Sequence, residues 1–151
     1  MLQAVVRKPN DDAPRQAYAD GVEAADPARA EFIRLQLAGD PAEHLLAAHG
    51  PRWAAAFSPW GARDLVYRRG FVEGMSLTGR SFISLGESLF AATPLREVRL
   101  VAVNFLMAEL VACPHLTKLK VLDLRGNGIG KEAEANLRRV FGGRVETGSC
   151  Y

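Results

Sequence analysis

LKVLDLRGNGIG, residues Leu119 to Gly130, decides the fold. Leu122 and Leu124 alternate onto one side of a short strand, and Leu119 precedes them at the spacing of an apolar anchor. Asn127 follows three residues after Leu124, where its side-chain amide can satisfy backbone groups as the chain leaves the sheet. Gly126 and Gly128 supply the backbone freedom that such a turn requires. Ile129 is the next apolar position of the pattern L-x-x-L-x-L-x-x-N-x-L.

The pattern recurs. Twenty-four residues earlier stand Leu95, Val98, Leu100, Val103 and Phe105, and a further twenty-three back stand Val72, Met75, Leu77, Arg80 and Phe82. The inward strand positions are apolar in all three copies, whereas Val103 and Arg80 replace the asparagine. Short amphipathic segments lie after the strands: Ile83 to Ala92, Leu106 to Ala112 and Lys131 to Phe141. A period of this length belongs to leucine-rich repeats. The expected fold is therefore α/β: a short leucine-rich-repeat solenoid with a parallel sheet on one side and helices on the other. About three repeats occupy 65–151, closed by a strand near Arg144 to Glu146. The inward strand residues, together with Leu89, Leu110 and Leu137, should form its core.

Composition narrows the function. The chain has 151 residues, 48% hydrophobic and 24% charged, which suits one ordered domain with at most a small appended cap. A net charge of +2 is too small to argue for nucleic acid or an anionic membrane. Residues 1–70 hold nine basic and nine acidic side chains and 71–151 hold ten and eight, so neither half is a basic arm. The two cysteines make no disulfide framework. Cys113, just before Pro114, reads as a small packing residue, and Cys150 as a free thiol near the end of the chain. Together with the absence of a leader-like segment or an apolar run of roughly 18 residues, they lead to the expectation of a cytoplasmic protein.

Residues 1–64 follow a different rule and read as a helical capping region. A first helix around Leu2, Val5 and Val6 ends before Pro9. Asp11 or Asp12 can cap the next, with Pro14 in its first turn. Asp26-Pro27 starts a third helix, which Gly39-Asp40-Pro41 breaks. Ala42 to His49 reads as a fourth, ending before Gly50-Pro51. Trp53, Phe57 and Trp60 follow. Such a region suits the end of a solenoid, whose apolar flank needs cover.

The stretch Asn10 to Ala38, NDDAPRQAYADGVEAADPARAEFIRLQLA, resembles the bacterial repeat-companion domain, a short module found ahead of leucine-rich repeats. Asp11, Asp12, Pro14, Arg15, Tyr18, Ala19 and Asp20 match the first part of its pattern, and Glu31, Phe32, Ile33, Arg34, Leu35 and Gln36 the last. Tyr67 to Leu77 and Arg138 to Val145 are similar to the family's first strand and closing segment. Gly21 stands where the family usually has Trp. The resemblance implies an architecture and a protein-binding role, and it brings no catalytic residues.

Side chains between the inward positions should face the open, concave side of the sheet. The candidate partner-binding residues are Glu73, Arg96, Glu97, Arg99, Lys120, Asp123 and Arg125, with Arg99 in register between Ser76 and Asp123. No catalytic constellation stands out. The three histidines lack metal-ligand spacing, and Cys113-Pro114-His115 has no second ligand pair. No metal and no cofactor are expected. The function expected is a non-catalytic protein–protein interaction module whose partner is another protein, not nucleic acid or membrane. The alternative is a structural element, monomeric or weakly self-associating, that pairs through the exposed terminal strand or the Trp53–Trp60 region.

Overall fold

The structure is a computed structural model and describes residues 1–148; Cys150 lies outside the described residues. Four helices come first: α1 (Leu2–Arg7), α2 (Ala13–Val22), α3 (Pro27–Ala38) and α4 (Glu43–Ala54). A 3-10 helix over Ala55–Trp60 leads into β1 (Arg63–Arg68) and β2 (Phe71–Thr78). Then follow α5 (Gly79–Ala92), β3 (Glu97–Val101), α6 (Met107–Ala112), β4 (Val121–Asp123), α7 (Lys131–Val140) and β5 (Arg144–Glu146). The protein is thus mixed α/β, with one five-stranded sheet in the order β1-β2-β3-β4-β5. β1 runs antiparallel to β2, and every later pairing is parallel.

The sheet register reproduces the sequence period. Met75 pairs with Val98, Val98 with Leu122, and Leu122 with Val145. Val72, Met75, Leu77, Leu95, Val98, Leu100, Leu119, Leu122 and Leu124 are all buried, in one cluster with Leu89 of α5, Leu110 of α6 and Leu137 of α7. Parallel strands need crossovers, and these helices provide them while covering one face of the sheet. Cys113 is buried in the same cluster.

Asn127 behaves as its position demands. Its Nδ2 donates to the carbonyls of Leu124 (2.9 Å) and Leu100 (2.7 Å), and its Oδ1 accepts from the Val103 N–H at 3.3 Å. One buried amide therefore closes its own turn and secures the turn of the preceding unit. Gly126 and Gly128 both take positive φ, 83° and 63°.

Three local expectations fail. Phe105, placed inward by the 24-residue offset, is fully exposed, and Leu106 is buried instead. The turn after β3 carries Val103 where the next unit has Asn127, and it closes through Leu106 N–H to the Val103 carbonyl, so the inward position slips by one residue. The fourth helix does not stop before Gly50-Pro51 but continues to Ala54 with Pro51 inside it. Pro51 removes one backbone donor, and tertiary contact outweighs it. The extra turn stacks Trp53 on Phe32 at 5.0 Å and lets its indole N–H reach Asp26 Oδ2 at 3.1 Å. Finally, α5 begins at Gly79 instead of Ile83, because Thr78 caps it by accepting from the Ser81 N–H.

The helical region docks on the β1–β2 hairpin. Arg69 and Gly70 form its two-residue turn with φ of 47° and 83°, as a type I′ turn requires. The Gly70 N–H donates to Gln36 Oε1 at 2.7 Å, and a Cβ on Gly70 would lie 2.8 Å from Ile33 Cα. Tyr18 meets Phe71 edge-on at 5.1 Å. At the departure noted above, the Met1 side chain lies where a Cβ on Gly21 would project. Gly70→Ala is expected to destabilise the protein by about 2–3 kcal/mol, through left-handed strain and loss of the α3 contact. Urea denaturation would check it, and a change below about 0.5 kcal/mol would mean that the helix yields without cost.

Candidate partner-binding face

The face of the sheet opposite the helices carries polar side chains in rows set by the register. One row runs Ser76, Arg99, Asp123, Glu146, and the next Gly74, Glu97, Val121, Arg144. The expected position of Arg99 between Ser76 and Asp123 is the observed one. Together with Asp64 and Arg125, these rows line a shallow depression of about 300 Å³. A second hollow of about 490 Å³ adjoins it, lined by Arg63, Asp64, Ser76, Thr78, Arg99 and Val101.

The charges are coupled. Arg125 binds Asp123 through two parallel contacts, Nε to Oδ1 at 3.0 Å and Nη2 to Oδ2 at 2.7 Å, and its N–H also donates to Oδ1. Arg125 lies 3.4 Å from Glu146, which Arg144 also bonds. Arg68 pairs with Glu97 at 2.9 Å. Hydrogen bonds from Arg125 hold the Asp123 carboxyl below the usual carboxylate range; burial opposes this, and the Arg99 charge adds to it. The cations lining the two hollows, Arg63, Arg99, Arg125 and Arg144, are all arginines. Planar guanidinium groups give a partner directional bonds and flat stacking surfaces that lysines would not.

Of the sequence candidates, Glu97, Arg99, Asp123 and Arg125 come together here. Arg96 and Lys120 precede β3 and β4 and line neither hollow, and Arg96 instead reaches Asn10 Oδ1. Glu73 must be removed from the set. It is buried, and its Oε1 accepts from Arg15 Nη2 at 2.7 Å and Arg69 Nη2 at 3.1 Å. The cause is alternation: Glu73 lies two residues before Met75 and four before Leu77, on the side of β2 that the helices cover, while Gly74 and Ser76 take the open side. The pairing of Tyr67 with Val72 and Val66 with Gly74 leaves Glu73 as an extra residue at a bulge there.

Sequence reasoning missed the contributions of β1 and β5, namely Arg63, Asp64, Val66, Arg144 and Glu146. The run Leu65-Val66-Tyr67, apolar and rich in strand formers between charged Asp64 and Arg68, was a usable signal for β1. Among the described residues no group of three or more His, Cys, Asp or Glu could hold a metal ion, and no helix is long and apolar enough to cross a membrane. His49 faces the Trp53 ring at 5.5 Å, and His115 stacks on Phe90 at 6.0 Å. No family model, curated protein or solved structure matches the chain.

Proposed function

We propose that the chain is a short leucine-rich-repeat solenoid fronted by a helical cap of the repeat-companion type. On this reading it is a non-catalytic, cytoplasmic protein-interaction module that binds another protein through the open sheet face. The observation that carries the reading is the row Ser76–Arg99–Asp123–Glu146, laid across four parallel strands on the face that the helices leave open. The 23- to 24-residue register and the two-turn bonding of Asn127 support the repeat architecture. The module needs no cofactor.

Arg99→Glu/Arg125→Glu is expected to abolish capture of a partner from lysate, while costing about 1 kcal/mol or less of stability, as for exposed ion pairs. Equal recovery by the double variant and the unaltered protein would sink the open-face reading. The edge position of β5 supports a second reading, self-association through that strand. The Trp53–Trp60 region supports it less, since Trp53 packs on Phe32 and Trp60 on Phe57. A mass that rises with concentration would select this second reading.

A further inference from the structure

A cavity of about 240 Å³ lies between the helical region and the sheet, away from the open face. Its walls are aromatic, with Tyr18, Trp53, Phe57, Tyr67 and Phe71 around the guanidinium of Arg29. The Arg29 Cζ lies 4.9 Å from the Trp53 ring centroid, 5.6 Å from Phe71, 5.7 Å from Phe32 and 5.8 Å from Tyr67. Cation–π attraction offsets part of the hydration that this charge has lost, but a ring offers no strong acceptor to its N–H groups.

Two polar atoms here are left over. Arg29 Nη1 and Tyr67 Oη are buried and meet no hydrogen-bond partner among the described residues. The carboxylate at the start of the same helix, Asp26, is already engaged. Its Oδ1 accepts from the Arg29 backbone N–H and from Arg52, and its Oδ2 accepts from the Trp53 indole. Burial lowers the Arg29 pKa from its ordinary value, opposed by nearby Tyr67, Tyr18 and Asp26. A half-buried guanidinium with an enclosed, unused donor, in a cavity also lined by a tyrosine with an enclosed, unused hydroxyl, is an unusual arrangement in a native protein.

We infer that this cavity is a binding site for a small organic monoanion, a carboxylate on an apolar, ring-sized body, held by Arg29 Nη1 and the Tyr67 hydroxyl. A carboxylate is acceptor-only and can take both donors at once. Arg52 balances the Asp26 carboxylate, so the Arg29 guanidinium is left to balance a single negative charge, and a dianion would be uncompensated among rings. The aromatic walls select an apolar body. The volume, below the roughly 300–1,000 Å³ of drug-sized pockets, keeps that body small. A ligand here would touch the helical region and the first hairpin together and so tie the cap to the sheet. The site is separate from the open face and does not depend on what that face binds.

The test is a titration with sodium benzoate, and separately with inorganic phosphate at matched ionic strength. The readout is the indole N–H resonance of Trp53, supported by thermal shift. The expected result is a saturable benzoate-induced shift and a rise in Tm, with no saturation by phosphate. Arg29→Met and Tyr67→Phe should each weaken benzoate binding roughly tenfold or more, as for hydrogen bonds to a charged group. No saturable response to benzoate, equal affinity in Arg29→Met, or saturation by phosphate would each overturn the assignment. Should Arg29→Met fail to fold, the unaltered protein and Tyr67→Phe decide, and an undiminished affinity in Tyr67→Phe would overturn it.

Discussion

Glu73→Ala is expected to destabilise the protein by about 3–5 kcal/mol, lowering Tm by on the order of 10 °C. Arg15 is fully buried, and it donates to the carbonyls of Pro9 (2.8 Å), Arg69 (3.1 Å) and Arg68 (3.2 Å) as well as to Glu73. The carbonyls take its Nη donors, its Nε meets no partner among the described residues, and Glu73 is the buried carboxylate that balances its charge, with a smaller contribution from Asp12. Arg69 approaches the same oxygen from the turn and also pairs with Asp12 at 3.0 Å. Removing the carboxylate leaves fully buried Arg15 facing the partly exposed Arg69 without it. The cost reflects the stranded charges more than the worth of the pair. Arg15→Met/Glu73→Leu should therefore recover more than half of the loss, and a double-mutant cycle by urea denaturation would measure the coupling. A Glu73→Ala loss below about 1 kcal/mol would show that water enters the junction and hydrates Arg15.

Asn127→Ala is expected to cost about 2–4 kcal/mol. The side chain is buried, and its removal takes the amide from the carbonyls of Leu100 and Leu124 and from the N–H of Val103, leaving Leu124 the longer bond from the Asn127 backbone N–H at 3.4 Å. Asn127→Asp should not rescue it, because a carboxylate cannot donate to two carbonyls. Faster hydrogen exchange at the Val103 amide would localise the effect to the neighbouring turn, which the sequence separates from Asn127 by 24 residues. Unchanged protection there would mean that the two turns are held independently. The two predictions concern different junctions, the first joining helices to sheet and the second joining one repeat-length unit to the next.

The legible part of the fold is the part whose signal is local and repeated. Leucines and valines at fixed spacing placed the core correctly, because a strand residue that alternates inward has little choice of side once its neighbours are apolar. The same spacing misplaced Phe105, since a turn built on buried Val103 closes differently from one built on Asn127. On the open face, Glu97, Arg99, Asp123 and Arg125 could be read from alternation alone. Asp64, Arg144 and Glu146 could not be brought to them without knowing which strands flank the sheet.

By itself the sequence determined the α/β class, the period and register of the parallel strands, and the role of Asn127, because each depends on residues within one repeat length. Only the tertiary structure decided that Glu73 meets Arg15 and Arg69, how far α4 runs, and that Arg29 lies among four rings contributed by α3, α4, β1 and β2. Those outcomes depend on the antiparallel pairing of β1 with β2 and on the docking of helices against that hairpin. The contacts to the hairpin join residues 38 to 58 positions apart, and their balance of burial against charge is set by packing, which no local pattern encodes.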